Sequence, residues 1–257
     1  MTPPAALPAV ITPALLSCIR AHPQLPKHSW YFITGVTLSV INRPDEIPKV
    51  FKDVMDHGIG ASDSKPEHEE QLRIARRLRE ALLKSAPIAG LPRVINALFA
   101  LKSVTPPSLL DEPTGYSPTA RPAELYETAP SQILSRGQNF FDQLYGKVSK
   151  RIMGQMDRSG TEDLGVTARL MYGYLLSNTN VLTAAESSFV VMAGLIPLDV
   201  NPQLKGHLKG AINNGATVEE VRAVREVVMK ICEASGMKRL ADDQAGGWGW
   251  RGEVANL

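Results

Sequence analysis

Two stretches of the chain carry apolar residues at three- and four-residue spacing, and that period commits them to helix. In residues 69–86, EEQLRIARRLREALLKSA, Leu72, Ala75, Leu78, Leu82 and Leu83 share one side. The charges lie on the other side, which reads as a solvated face. The second stretch runs from Thr217 to Ala234, with Val221, Val224, Val228 and Ile231 as its stripe. Thr217 with Glu220 three residues on predicts an N-cap, and Gly236 predicts the stop. Strand signals are sparse; only Trp30–Val40 is rich in β-formers. The expected fold class is all-α.

Prolines interrupt this pattern between about 103 and 130, at Pro106, Pro107, Pro113, Pro118, Pro122 and Pro130. Repeated proline removes the donors that helices and ladders need, so the segment reads as a linker or a strap over the surface. Two halves result, and they look related. Leu25–Gly58 slides onto Leu182–Gly215 at an offset of 157, matching Leu25, Phe32, Leu38, Lys52 and Gly58 with identical residues. Beyond this the offset falls to 146, so the first half carries 11 extra residues around GASDSKPEHEE, and Gly90 then meets Gly236. An internal duplication follows. The expected boundaries are 1–103 for a degenerate first repeat, 104–130 for the linker, 131–245 for the second repeat and 246–257 for a tail.

Charge and composition exclude several classes. A formal net charge of +2 does not suggest a nucleic-acid or membrane-surface partner, and aromatics at 6% argue against stacking platforms for single strands. No apolar run reaches the ~18 residues that span a bilayer. Two cysteines, Cys18 and Cys232, cannot build a disulfide framework or a zinc site, which suggests a reducing compartment. No Asp or Glu precedes Asp45, as in transit peptides, but Arg20 is the only Arg before Arg43. Ala255-Asn256-Leu257 resembles the peroxisomal C-terminal address Ser-Lys-Leu in its small residue and terminal Leu, with Asn256 in place of the basic residue. The expected location is intracellular, the peroxisome by this tripeptide, with cytosol or mitochondrion as alternatives.

The second half carries FFDQLYG (140–146), LTAAESSFVVMAGLI (182–196) and KGHLKGAINNGATVEEVRAVREVVMKICEASG (205–236). These residues resemble the carboxymuconolactone decarboxylase family, which shares its all-α fold with alkyl-hydroperoxidase-D (AhpD). The resemblance lies in His207, Ala211, Asn213, Asn214, Gly215, Thr217, Glu219 and Glu220, and covers roughly residues 137–240. It implies two AhpD-like helical repeats and a homo-oligomer. AhpD-type peroxidase chemistry needs a CxxC; the two thiol positions counted back from His207 are Val200 and Gln203, so a disulfide cycle cannot run. The upstream Glu position is Ser188, with Glu186 two residues earlier.

The resemblance to the decarboxylase branch implies a cofactor-free enzyme on a small organic acid or lactone. His207 would be its general acid/base, with Glu186 and Ser188 as catalytic partners. Tyr172, Tyr174, Ser177 and Asn178 are candidate hydrogen-bonding groups, and Arg169 a candidate partner for a substrate carboxylate. No metal and no cofactor is expected; His22, His28, His57 and His68 show no ligand spacing. In the first half Val50 takes the place of His207, so that half reads as structural or as a cover for the pocket. Three readings stay open. One is the enzyme just described, with a small-molecule ligand. Another is a non-catalytic binding or structural relative, in which His207 is a partly exposed helix residue beside Lys205 and Lys209. The third is an unconventional thiol peroxidase using Cys232 or Cys18. Trp248 and Trp250, on a flexible glycine-rich tail, are expected to pack on the body or at a subunit contact.

Overall fold

The computed structural model describes residues 7–60, 65–111 and 116–257. Pro3, Pro4, Pro113 and residues 61–64 of the extra segment lie outside the described residues. The chain is helical almost throughout: α1 Pro13–Arg20, α2 Trp30–Val40, α3 Ile47–His57, α4 His68–Lys84, the short α5 Ala86–Ala89, α6 Leu91–Val104, α7 Arg121–Glu127, α8 Pro130–Tyr145, α9 Ser149–Met156 and α10 Asp163–Leu170. A one-turn π-helix, Met171–Leu176, continues α10. Then come α11 Ala184–Leu195, α12 Asn201–Asn213 and α13 Val218–Ala234. Among the described residues, the only strands are two-residue pieces, β1 Lys238–Arg239 and β2 Gly249–Trp250, paired in parallel.

The β-rich stretch Trp30–Val40 is helix α2, and every residue of it is buried. A helix apolar all round belongs in the middle of a core, and burial overrides its β-branched composition. Thr34 and Thr37 fit there because their hydroxyls donate back to the carbonyls of Trp30 and Ile33, at 2.7 and 2.8 Å. The helix α11 is its partner: from Ser187 to Leu195 it is also fully buried. The two pack on each other, and α4 and α13 each touch both. Helix α13 opens on the expected capping box of Thr217 and Glu220, and α11 opens on a second, Thr183 with Glu186. Gly215 and Gly236 end their helices at φ +102° and +92°, a conformation that costs glycine little.

One face of α4 corrects the expectation of a solvated surface. Arg77, Glu80 and Lys84 recur at three- and four-residue spacing, yet they are 8%, 3% and 0% exposed. The second half covers this face on one side and the Pro-rich segment covers it on another. Arg121 reaches Glu80 with two bonds of 2.7 and 2.6 Å, and Asp111 holds Arg76 and Arg79. The strap is therefore tied down and includes α7. The tail is not a flexible strand either: Trp250 is 4% exposed and its Nε1 donates to the Ile196 carbonyl at 2.8 Å. Trp248 stays about half exposed.

Candidate functional site

Four elements converge on His207. It projects from α12 toward α8, α11 and the π-helix, where Phe140, Leu144, Tyr172, Leu176, Ser187, Ser188 and Val191 enclose a cavity with it. The space is about 10 Å³, room for a single water. Close approach makes this closure possible. A Cβ on Gly137 of α8 would lie 2.5 Å from the backbone nitrogen of Gly173, so glycine lets the π-helix sit directly on α8. Gly210 does the same for α12 against Leu144.

His207 is 8% exposed, and burial pushes its pKa down to about 4. The ring is therefore neutral near pH 7. Its Nε2 lies 3.1 Å from the Tyr145 hydroxyl, and that hydroxyl lies 3.5 Å from the Tyr172 hydroxyl. Nδ1 is buried and has no hydrogen-bond partner. Either neutral tautomer satisfies the Tyr145 bond; the one with its proton on Nε2, donated to Tyr145, leaves the Nδ1 lone pair free. Burial raises the pKa of both phenols, so they remain protonated donors.

The other sequence-predicted residues divide around this cavity. Ser188 and Tyr172 line it with His207. Asn214 donates to the Ser188 hydroxyl at 3.0 Å, and Asn213 donates to the Leu144 carbonyl at 2.9 Å, which ties the Asn-Asn-Gly bend to the site. Glu186 is not among the lining residues. It closes the α11 capping box through the Thr183 N–H, at 2.9 Å, and pairs with Arg77. Burial would raise its carboxyl, but Arg77 and Thr183 outweigh burial and hold it below the ordinary value. Arg169 grips Asp157 with two bonds of 2.6 and 2.8 Å, away from the cavity. The Tyr174 carbonyl accepts from Arg121. Asn178 donates to the Thr119 carbonyl at 2.7 Å, and the Ser177 hydroxyl donates to Gly173.

Two partners were not assigned roles from sequence. Tyr145 sits in the FFDQLYG segment, a signal that was present without a role attached. Lys84 looks like one more charge on a solvated stripe, yet it is fully buried behind Ser187. Cys232 is fully buried as well, and burial pushes its thiol up, which works against a thiolate nucleophile. Cys18 is exposed. Among the described residues, no cluster of three or more His, Cys, Asp or Glu side chains could hold a metal ion, and no helix is long and apolar enough to cross a membrane.

No family model matches the sequence, and no solved structure gives a significant match. Curated relatives do match. Peroxisomal protein 2 of Schizosaccharomyces pombe is 37% identical over 212 residues, covering 82% of this chain and 89% of the relative. The chain belongs to the Peroxisomal protein 2 family. A second member, Peroxisomal protein 2 of Saccharomyces cerevisiae, is 31% identical over 267 aligned positions, covering 87% of this chain and 94% of the relative. Both Peroxisomal protein 2 relatives support a peroxisomal location, the compartment expected from the sequence.

Proposed function

We propose that this Peroxisomal protein 2 relative is a carboxymuconolactone decarboxylase-like enzyme. In this reading it acts without a cofactor on a small organic acid or lactone, with His207 as general acid/base. The observation that carries the reading is the Nδ1 of His207: buried, neutral and without a partner, in a ring whose other nitrogen is oriented by Tyr145. A buried nitrogen left unpaired costs stability, and such exceptions call for a reason. A proton-abstracting nitrogen supplies one. Nδ1 would take a proton from the substrate, while the hydroxyl of Tyr172, a lining residue, would donate to the oxyanion that forms.

The duplication belongs to the same reading. Helices α2, α3 and α4 follow one another as α11, α12 and α13 do, and the two leading helices pack together. Gly58 and Gly90 share positive φ with Gly215 and Gly236. In the first half the buried Val50 stands where His207 stands in the second, so that half supports the site without chemistry of its own.

Proton exchange tests the acid/base role without knowledge of the natural substrate. A panel of small keto acids and lactones is incubated in deuterated water, and incorporation beside the carbonyl is followed by NMR. The wild type exchanges at least one of them, and His207→Asn slows that exchange by about a hundredfold. Equal exchange by both proteins across the panel overturns the assignment.

One observation favours a second, non-catalytic reading: the cavity holds about 10 Å³. In that case small acids and lactones neither exchange nor raise the melting temperature, and the residues around His207 act as packing.

A further inference from the structure

The cavity has a second wall with chemistry of its own. Ser187 is one of its lining residues, and the Ser187 hydroxyl accepts from the Lys84 ammonium at 2.6 Å. Both side chains are buried, at 1% and 0% exposure. Lys84 comes from the first half of the chain, Ser187 from the second. The remaining bonds of Nζ go to the carbonyls of Leu176 and Asn178, at 3.1 and 2.6 Å. Those two carbonyls can only accept. An amine that has given up one proton therefore keeps two N–H groups on them and turns its lone pair toward the one neighbour that can also donate, the Ser187 O–H.

We infer that Ser187 is a nucleophilic hydroxyl with Lys84 as its base, and that the cavity can carry acyl transfer from a small ester or thioester. This goes beyond the proton chemistry of His207 and does not depend on it. A serine that lines a cavity, with a lysine amine within hydrogen-bond reach of its hydroxyl, has the pairing of a serine–lysine dyad. Burial brings Lys84 down to about 8, against the pull of Glu80 at 3.8 Å and helped by Arg121; Glu186 and Arg136 complete the charges that act on it. A fraction of the amine is therefore neutral near pH 7.

Ser187 Oγ attacks the carbonyl carbon, its proton passes to Lys84 Nζ, and a tetrahedral oxyanion forms within the cavity that Tyr172 also lines. The bond to the leaving alcohol or thiol breaks, and Lys84 returns the proton to it. Water, activated by the same amine, then attacks the acyl-serine, and the free acid and the Ser187 hydroxyl are released. Because the closed cavity holds about 10 Å³, an acyl group enters only when one of its walls moves.

A small alkyl fluorophosphonate, which marks activated serines, tests this on the full chain. Adducts are mapped by mass spectrometry, with circular dichroism as the control for folding. The wild type forms an adduct on Ser187 at a rate that rises at least about tenfold from pH 6.5 to pH 9, following deprotonation of Lys84. Ser187→Ala forms none there. Lys84→Arg keeps the cation and its hydrogen bonds but cannot serve as base, so labelling falls at least about tenfold. Absence of a Ser187 adduct in the folded wild type overturns the inference. Labelling of a folded Lys84→Arg protein at the wild-type rate overturns it too. The adduct is read at Ser187 and proton exchange is read on the substrate of His207, so either proposal can fail alone.

Discussion

The Tyr145 hydroxyl decides which nitrogen of His207 is left facing an empty valence. At 3.1 Å it meets Nε2 and leaves Nδ1 unpaired. Tyr145→Phe removes that partner and strands both ring nitrogens in a buried site. The expected cost is about 1–3 kcal/mol, read as a lower denaturant midpoint with an unchanged slope. An unchanged midpoint would mean that water already reaches the ring. The same scale explains how Glu186 is held. A carboxylate near a catalytic histidine suggests chemistry, but at the third position of a helix after Thr it also suggests a capping box, and Arg77 then completes its coordination. Arg169 was unreadable in a similar way, because Asp157, which occupies it, lies twelve residues away with no periodic signal between them.

At the scale of elements, the π-helix Met171–Leu176 and α8 form the roof of the site, and Gly137 sets their distance. Gly137→Ala would place a methyl group 2.5 Å from backbone, where no side chain can yield. The π-helix must move, at a cost of roughly 1–3 kcal/mol, and the His207 cavity opens to solvent. Calorimetry with hydrogen exchange of residues 171–176 reads both effects; an unshifted melt with full protection would contradict the packing described. Sequence period gave α4 and α13 and the Thr217 cap without difficulty, because one apolar stripe and a cap are local signals. The π-helix has no such signal. The helix α2 is rich in β-formers because its side chains suit a core that only the fold supplies.

Across the whole molecule, charge crosses between segments that sequence reading kept apart. Arg77 of the first half pairs with Glu186 of the second and hydrogen-bonds Tyr31, while Glu80 receives Arg121 from the strap. Lys84 bonds the end of the π-helix and α11 together. These ties press the two halves into one core and close the roof over His207. A charged stripe is normally solvated, so only the folded arrangement distinguishes Arg77, Glu80 and Lys84 from their exposed neighbours. The His-plus-Asn-Asn-Gly bend was legible in the sequence; Tyr145 behind His207 and Lys84 behind Ser187 were not.

The most direct test of this account is a titration of His207 in the intact chain, by NMR of 15N-labelled histidine from pH 7.5 to pH 3.5. A closed cavity holds the ring neutral until about pH 4. The sign follows: the unfolded chain binds a proton near 6.5 that the folded chain refuses, so stability falls as pH drops from about 6.5 to about 4, by on the order of 3 kcal/mol from this residue. The resonances of His207 should stay those of a neutral ring, with the proton on Nε2, throughout that window. A midpoint near 6.5 would place His207 in water and contradict the closed site on which the proposed acid/base role rests.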